Sequence, residues 1–382
     1  VLGFVSLLMD VSSEMIHALL PVYLVTVMGA SFSAVGWIEG IAEATASITK
    51  VFSGAISDWL GRRKLLAVLG YGLAALTKPV FPLAGSLGWI VAARFLDRVG
   101  KGIRGAPRDA LVASLAPPNL RGASIGLRQT LDTVGAFLGP LIAIALMWFT
   151  ADRFRIVFWV AVLPAFLAVG LLGVGVKEPD QSRQSARFPL HVYELRQLAP
   201  NFWLIVVIAA VFTLARFSEA FLILRAQNVG LPIALAPAVL VVMNVVYAAF
   251  AYPAGVLSDH FGRIRLLGLG FAVLVVADLV LGLGTQLWAI GVGIALWGLH
   301  ISLTQGLLAT LVADTTPDER RGTAYGVFNL VSGIAMLAAS ALAGLLWDRF
   351  GPEATFLGGA AFVFVALIFL FTLRSRNFVR AS

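Results

Sequence analysis

An all-α membrane protein of twelve transmembrane helices, in two six-helix bundles related by a pseudo-two-fold axis, is the fold class this sequence predicts. Three observations predict it. The composition is 59% hydrophobic and only 13% charged, where water-soluble domains carry about 25% charged residues. Apolar runs of roughly twenty residues, the length that crosses a bilayer as a helix, follow one another along the chain with short polar loops between them. The second half also repeats features of the first at a separation of about two hundred residues.

The candidate spans run, in order, Leu2–Met28, Ala34–Ile56, Leu65–Leu83, Trp89–Leu115, Ala123–Phe149, Phe154–Val176, Phe202–Ala226, Ile233–Leu257, Leu266–Leu283, Trp288–Ala313, Thr323–Leu346 and Ala354–Leu373. One long connector, residues 177–200, carries Pro, Gln, Ser and several basic residues. As a cytoplasmic linker it divides an N-terminal bundle, residues 1–176, from a C-terminal bundle, residues 201–382. The chain opens on Val1 inside an apolar run, so a short N-terminal piece is expected before it. That run is too long, and too polar at Asp10 and Glu14, for a cleavable signal peptide. Cysteine is absent, which excludes disulfides, thiolate metal sites and cysteine nucleophiles. A net charge of +8 would suggest nucleic acid in a soluble protein. Here the basic residues follow membrane topology instead, and no nucleic-acid partner is expected.

Basic residues concentrate on the cytoplasmic side of a membrane protein. Numbered from the N-terminus, the even loops hold Arg62, Arg63, Lys64, Arg121, Lys177, Arg183, Arg187, Arg196, Arg263, Arg265, Arg320 and Arg321, and the tail adds Arg374, Arg376 and Arg380. The odd loops hold Arg153, Arg155 and Arg349. This asymmetry places both termini and the central connector in the cytoplasm.

The internal repeat is most visible in two loops. Gly54-Ala55-Ile56-Ser57-Asp58-Trp59-Leu60-Gly61-Arg62-Arg63-Lys64 aligns with Gly255-Val256-Leu257-Ser258-Asp259-His260-Phe261-Gly262-Arg263-Ile264-Arg265. Leu111-Val112-Ala113, Pro117 and Arg121-Gly122 likewise align with Leu311-Val312-Ala313, Pro317 and Arg321-Gly322. Two halves in the same topology imply a parallel duplication about an axis along the membrane normal. The G-x-x-x-D-x-x-G-R loop after the second span of each half resembles the signature of the major facilitator superfamily, and the resemblance covers the whole chain. It implies a conformational latch at Gly54, Asp58, Gly61, Arg62, Arg63, Asp259, Gly262 and Arg263, with the carboxylates holding neighbouring helix ends. Gly61 and Gly262 would make the tight turns.

The intramembrane charge is concentrated in the first half. From Arg94 to Asp109 the fourth span carries five basic and two acidic side chains, each of which costs about 2.5–3.5 kcal/mol at the centre of an isolated span. At helical spacing they form stripes that must face protein or water. Two readings stay open: a buried ion-pair network, or a polar pathway. Asp10, Glu14 and His17 share one face of the first span, and a metal reading of that trio is weak for a chain with four histidines and no cysteine. The resemblance implies that spans one, four, seven and ten line a central cavity, where Asp10 and Glu14 would meet the stripe of span four. Carboxylates balanced between desolvation and nearby cations can exchange protons. Asp10, Glu14, Asp97 and Asp132 are therefore the candidate proton-coupling residues.

Arg98-x-x-Lys101-Gly102-x-Arg104-Gly105-Ala106 is similar to the family's span-four motif tied to proton coupling in antiporters, although Lys101 departs from the usual amide or apolar residue. Arg94, Arg98, Lys101, Arg104 and Arg128 are candidates to hold an anionic substrate group, with His17 and Gln129 beside them. Span five runs from Arg128-x-x-x-Asp132 to Gly135-x-x-x-Gly139-Pro140, which resembles the antiporter signature. Ala143-Ile144 replaces the family's second glycine pair, and a plain small-residue packing face explains the same glycines. In the second half Arg216, Glu219, Asn244, His300 and Gln305 are the candidate substrate-binding groups.

The expected function is secondary active transport of a small organic solute by alternating access, with proton-coupled export. An importer or exchanger of organic or phosphorylated anions is the first alternative, and a non-transporting membrane receptor or structural protein the second. No H-E-x-x-H or phosphate loop occurs, so no enzyme activity, cofactor or metal is expected. The expected partners are a small-molecule substrate, protons and membrane lipids. The resemblance implies a monomer in the cytoplasmic (inner) membrane.

Overall fold

A computed structural model describes residues 1–178, 195, 198–317 and 320–375; the side chains of residues 55, 58, 118, 259 and 372–375 fall outside that description. Most of the 177–200 connector lies outside it too, with Arg376 and Arg380. The described secondary structure is helical throughout: α1 (Leu2–His17), α2 (Leu20–Thr26), α3 (Phe32–Leu60), α4 (Arg63–Thr77), α5 (Val80–Leu83), α6 (Leu87–Leu115), α7 (Arg121–Phe149), α8 (Phe154–Gly175), α9 (Pro200–Ala215), α10 (Ala220–Asn228), α11 (Ala238–Phe261), α12 (Arg263–Leu283), α13 (Leu287–Thr304), α14 (Leu307–Asp314), α15 (Arg321–Phe350) and α16 (Pro352–Ser375). Helix is what a bilayer demands, because a backbone in hydrocarbon must satisfy its hydrogen bonds within its own segment.

Among the described residues, ten stretches are long and apolar enough to cross a membrane. The other two, α3 and α6, are 29 residues each. They carry charge along their length, which keeps them from reading as plain apolar spans. With them the chain makes the twelve-span, all-α fold.

Four spans expected to be continuous are broken. Span one divides at Ala18–Leu19 ahead of Pro21, and span three at Lys78–Pro79, where proline lacks the N–H a helix interior needs. Span seven opens between Ala215 and Ala220, and span ten divides at Gln305–Gly306, where Gly306 has φ +85°. By contrast, Pro107 sits inside α6 without ending it. Gly61 and Gly262 have φ +62° and +80°, left-handed conformations that favour glycine and turn the chain between α3 and α4 and between α11 and α12.

The chain forms two compact units. The first holds Val1–Ala30, the chain from Ile41 through α8, and Pro232–Ala238. In it α4 packs along α6, and α1 packs along α7 and α8. Its core joins Val5 and Met9 of α1, Tyr71 and Ala74 of α4, Leu111 of α6, and Ala165, Ala168 and Leu172 of α8. Small residues let these backbones close: a Cβ at Gly100 would stand 2.6 Å from the Gly70 carbonyl oxygen.

The second unit holds Ser31–Gly40, the chain from α9 to Leu231, and Val239 onward. There α12 packs on α13 and α16, and α9 on α15 and α16. Its interior is aromatic. Phe212 stacks on Phe271 at 4.1 Å, and Phe217 meets Phe221, Trp297 and Phe356 at 5.4–5.7 Å. Helix α3 is therefore one continuous helix whose first residues belong to the second unit and whose remainder belongs to the first.

Candidate functional site

The charged residues of the first unit sort into a sealed layer and a reachable one. Sealed inside are Lys78 and Asp97, whose Nζ and Oδ1 lie 2.9 Å apart with both side chains no more than 4% exposed. Lys78 also donates to Ser13 Oγ at 3.0 Å, and Arg98 Nε approaches the second Asp97 oxygen at 3.7 Å. Arg94, Arg98 and Arg104 are buried as well. Two cations on one carboxylate, with a hydroxyl on one of them, make the paired arrangement a buried charge requires.

The reachable layer is built outward from these. Arg98 Nη1 meets Glu43 Oε1 at 3.3 Å, where Glu43 is 35% exposed. Arg104 spans the Asp10 carboxylate at 3.9 Å and the Tyr71 ring at 4.7 Å, stacking its planar cation on the aromatic face. Nearer the Gly-Arg loop, Arg108 pairs with Asp109 at 3.1 Å and with Asp132 at 3.7 Å, and donates to Ser6 Oγ at 2.9 Å. Arg128 pairs with Asp132 one turn along α7, and with Asp109 at 3.5 Å. Asp10, Glu14 and Asp132 keep 21–25% of their side-chain surface exposed.

Of the two α1 carboxylates expected to meet α6, Asp10 does so through Arg104. Glu14 instead pairs with His17 of its own helix at 3.4 Å. Lys101 projects from the same face of α6 as an exposed ammonium that makes no ion pair among the described residues. Gln129 is exposed.

Helix α7 sets the position of both α1 carboxylates. A Cβ at Gly135 would stand 2.8 Å from the Leu7 carbonyl oxygen and 3.0 Å from Asp10 Cβ. At Gly139 it would stand 2.8 Å from Glu14 Cβ and 2.9 Å from the Val11 oxygen. The G-x-x-x-G spacing thus fits two successive turns of α1, the two that carry Asp10 and Glu14.

In the second unit, Arg216 and Glu219 fall in the opening between α9 and α10, and Gln305 falls at the break between α13 and α14. Helix breaks within a membrane expose backbone groups and are where transporters place binding groups. Arg216 lies 5.8 Å from the Phe212 ring. Asn244 is half-buried on α11. His300 is fully buried, edge-on to Trp297 at 5.3 Å and to Phe212 at 6.3 Å. Among the described residues no group of three His, Cys, Asp or Glu side chains is placed to hold a metal.

The two loops expected to act as latches share a backbone geometry. In both loops a serine hydroxyl donates back three residues, Ser57 to the Gly54 carbonyl and Ser258 to the Gly255 carbonyl, at 2.9 and 2.7 Å. Arg263 pairs with Asp314. Arg62 is exposed, and the side chains of Asp58 and Asp259 lie outside the description.

Lys78 and Glu43 are legible in the sequence as charges inside the first-half spans, Lys78 directly before a proline; Tyr71 carries no such signal.

The sequence profile of the Major Facilitator Superfamily matches residues 2–245 and 220–380. The chain is 34% identical over 383 residues to an uncharacterised MFS-type transporter of Methanocaldococcus jannaschii, covering 97% of this chain and 93% of that one. It is 24% identical over 396 residues to the inner membrane transport protein YajR of Escherichia coli, covering 99% and 83%. Among solved structures, a bacterial homologue of the human lysosomal transporter Spinster superposes with a TM-score of 0.78 at 17% identity over 99% of this chain and 96% of that one. A POT family transporter in complex with 5-aminolevulinic acid gives 0.83 at 12% identity, covering 99% and 96%. These two show the fold alone.

Proposed function

The chain belongs to the major facilitator superfamily, is a multi-pass membrane transporter of that kind, and from that premise we propose that it exports a small organic solute in exchange for protons by alternating access. One observation carries this reading. Asp10 and Glu14 sit on α1, about a quarter or less exposed, with the backbone of α7 pressed against their turns, and Arg104 stands beside Asp10. Such carboxylates can accept a proton when solute leaves and release it when solute binds. Asp132, shared by Arg108 and Arg128, extends the same path. Asp97, closed off by Lys78, orders the cluster.

The basic even-numbered loops support a cytoplasmic location for both termini. Similarity to an inner membrane transport protein of E. coli supports the inner membrane. Transport needs only solute, protons and lipid as partners, so a monomer without cofactor or catalytic activity completes the proposal.

A second reading, exchange of organic or phosphorylated anions, is favoured by one feature: the exposed Lys101 ammonium, without an ion-pair partner among the described residues. Proteoliposomes separate the two. Proton movement driven by lipophilic cations or organic anions, lost in Glu14→Gln, supports coupled export. Anion flux without proton movement, indifferent to Glu14→Gln and abolished by Lys101→Ala, overturns it.

A further inference from the structure

The G-x-x-x-D-x-x-G spacing of the two cytoplasmic-side loops occurs a third time. Gly344-Leu345-Leu346-Trp347-Asp348-Arg349-Phe350-Gly351 closes α15. Its last glycine has φ +89°, the same left-handed turn taken by Gly61 and Gly262. This copy lies between spans eleven and twelve. Since each span reverses the direction of the chain, it stands on the membrane face opposite the other two loops.

What this loop holds is the start of α3. Asp348 Oδ1 accepts the Phe32 N–H at 3.1 Å, and Oδ2 accepts the Ser33 N–H at 2.8 Å. The first N–H groups of a helix have no partner within it, and α3 has no acidic residue of its own in its first turn. Ser31 supplies the rest: its hydroxyl oxygen accepts the Ala34 N–H at 3.1 Å, and its carbonyl accepts the Val35 N–H at 3.1 Å. The carboxylate thus satisfies two donors and places negative charge at the positive end of a 29-residue helix.

Packing around the carboxylate is close. Trp347 stacks on Phe32 at 4.8 Å with the rings 24° apart. A Cβ at Gly344 would collide with the Phe32 carbonyl oxygen, and one at Gly36 with the Ser340 carbonyl oxygen. A Cβ at Gly40 would stand 2.9 Å from the Leu337 oxygen. The first turns of α3 therefore lie glycine-to-backbone on α15, within the second unit, while the rest of α3 belongs to the first.

We propose that Gly344–Gly351 is an outer-face latch, in which Asp348 is a positioning residue that keeps the start of span two closed on span eleven and releases it whenever the outer side opens. The inference rests on the alternating-access reading. Its chemistry is reversible: two backbone N–H bonds to an exposed carboxylate can be exchanged for water without leaving a buried charge.

The test uses the absence of cysteine in the chain. Ser340→Cys places a thiol at a position 0% exposed beneath α3, and Ala161→Cys places a control thiol in the closed core of the first unit. Each is labelled in intact cells with a membrane-impermeant maleimide. Asp348→Ala and Asp348→Asn are expected to raise labelling at position 340 by about tenfold, as loss of two charge-assisted bonds implies. Labelling at 161 stays unchanged, and Asp348→Glu remains near the parent rate. Asp58→Asn, which frees the opposite face, lowers labelling at 340.

If Asp58→Asn shifts labelling while Asp348→Ala and Asp348→Asn do not, the latch is overturned and alternating access stands. Equal increases at 340 and 161 would show general loosening, which also overturns the latch. If neither Asp58→Asn nor the Asp348 variants move labelling, the alternating-access reading falls with it.

Discussion

Gly139 lies directly against Glu14: a Cβ on the glycine would stand 2.8 Å from the glutamate Cβ. Together with Gly135 against Asp10, this makes the small-residue face of α7 the bed on which the two α1 carboxylates rest. The two glycines of this face stand against the two successive turns of α1 that carry the acids.

Gly139→Val should therefore damage coupling through position. The added carbons overpack the contact, at about 1–3 kcal/mol, and push Glu14 away from α7. Substrate-driven proton flux in proteoliposomes should fall at least tenfold, with a lower melting temperature in detergent. Gly126→Ala is the control: it sits on the same helix with open space around it and should leave both quantities unchanged.

Lys78 and Asp97 form the sealed pair, and removing one member leaves an uncompensated buried charge. Lys78→Met or Asp97→Leu alone should cost about 3–5 kcal/mol, whereas the double variant should recover most of that loss. A thermal-melting double-mutant cycle measures the coupling. Full transport by the double variant would assign the pair to architecture. Transport abolished in a double variant of parent-like stability would return Asp97 to the proton path.

Some of this arrangement was legible in the sequence. Composition and span length carried the membrane fold, and the duplicated Gly-Asp-Gly-Arg loop pointed to the family. Helical spacing put Asp10, Glu14 and His17 on one face, and the structure joins Glu14 to His17 and Asp10 to Arg104. Spacing along a single helix says nothing of what stands opposite. The partnership of Lys78 with Asp97 and of Glu43 with Arg98 depended on how α3, α4 and α6 pack. Breaks were equally opaque at Arg216–Glu219, where no proline or glycine marks the opening of span seven. The contact between Asp348 and Phe32 joins residues more than three hundred positions apart, and only its recurring spacing could have pointed to it.

Arg225 offers a contrast to the cations of the first unit. It is buried, and its guanidinium donates to the carbonyls of Leu281, Gly282 and Gly284 at 2.8–3.0 Å and to Asn228 Oδ1 at 2.8 Å. Those carbonyls close α12, whose last turn leaves acceptors without helical partners. Arg225→Ala should destabilise the protein by about 2–4 kcal/mol through orphaned acceptors. Arg225→Lys, lacking the planar fork, should recover only part. Substrate KM should be unchanged in whatever protein folds.

Lys101 should behave in the opposite way. Its ammonium is exposed on α6 and makes no ion pair among the described residues, so Lys101→Gln leaves no buried charge behind. The melting temperature should stay within about one degree of the parent, since exposed substitutions usually change stability by less than 0.5 kcal/mol. If the transported solute carries a carboxylate or phosphate, KM should rise by about tenfold with kcat little changed, the pattern expected when ground-state and transition-state binding are lost together. The increase should shrink as ionic strength rises and screens the parent protein's attraction. For a cationic solute the sign reverses: removing Lys101 lowers KM, because the repulsion it exerts is gone. Measuring both kinds of solute across a salt series fixes the charge of the cargo from one side chain.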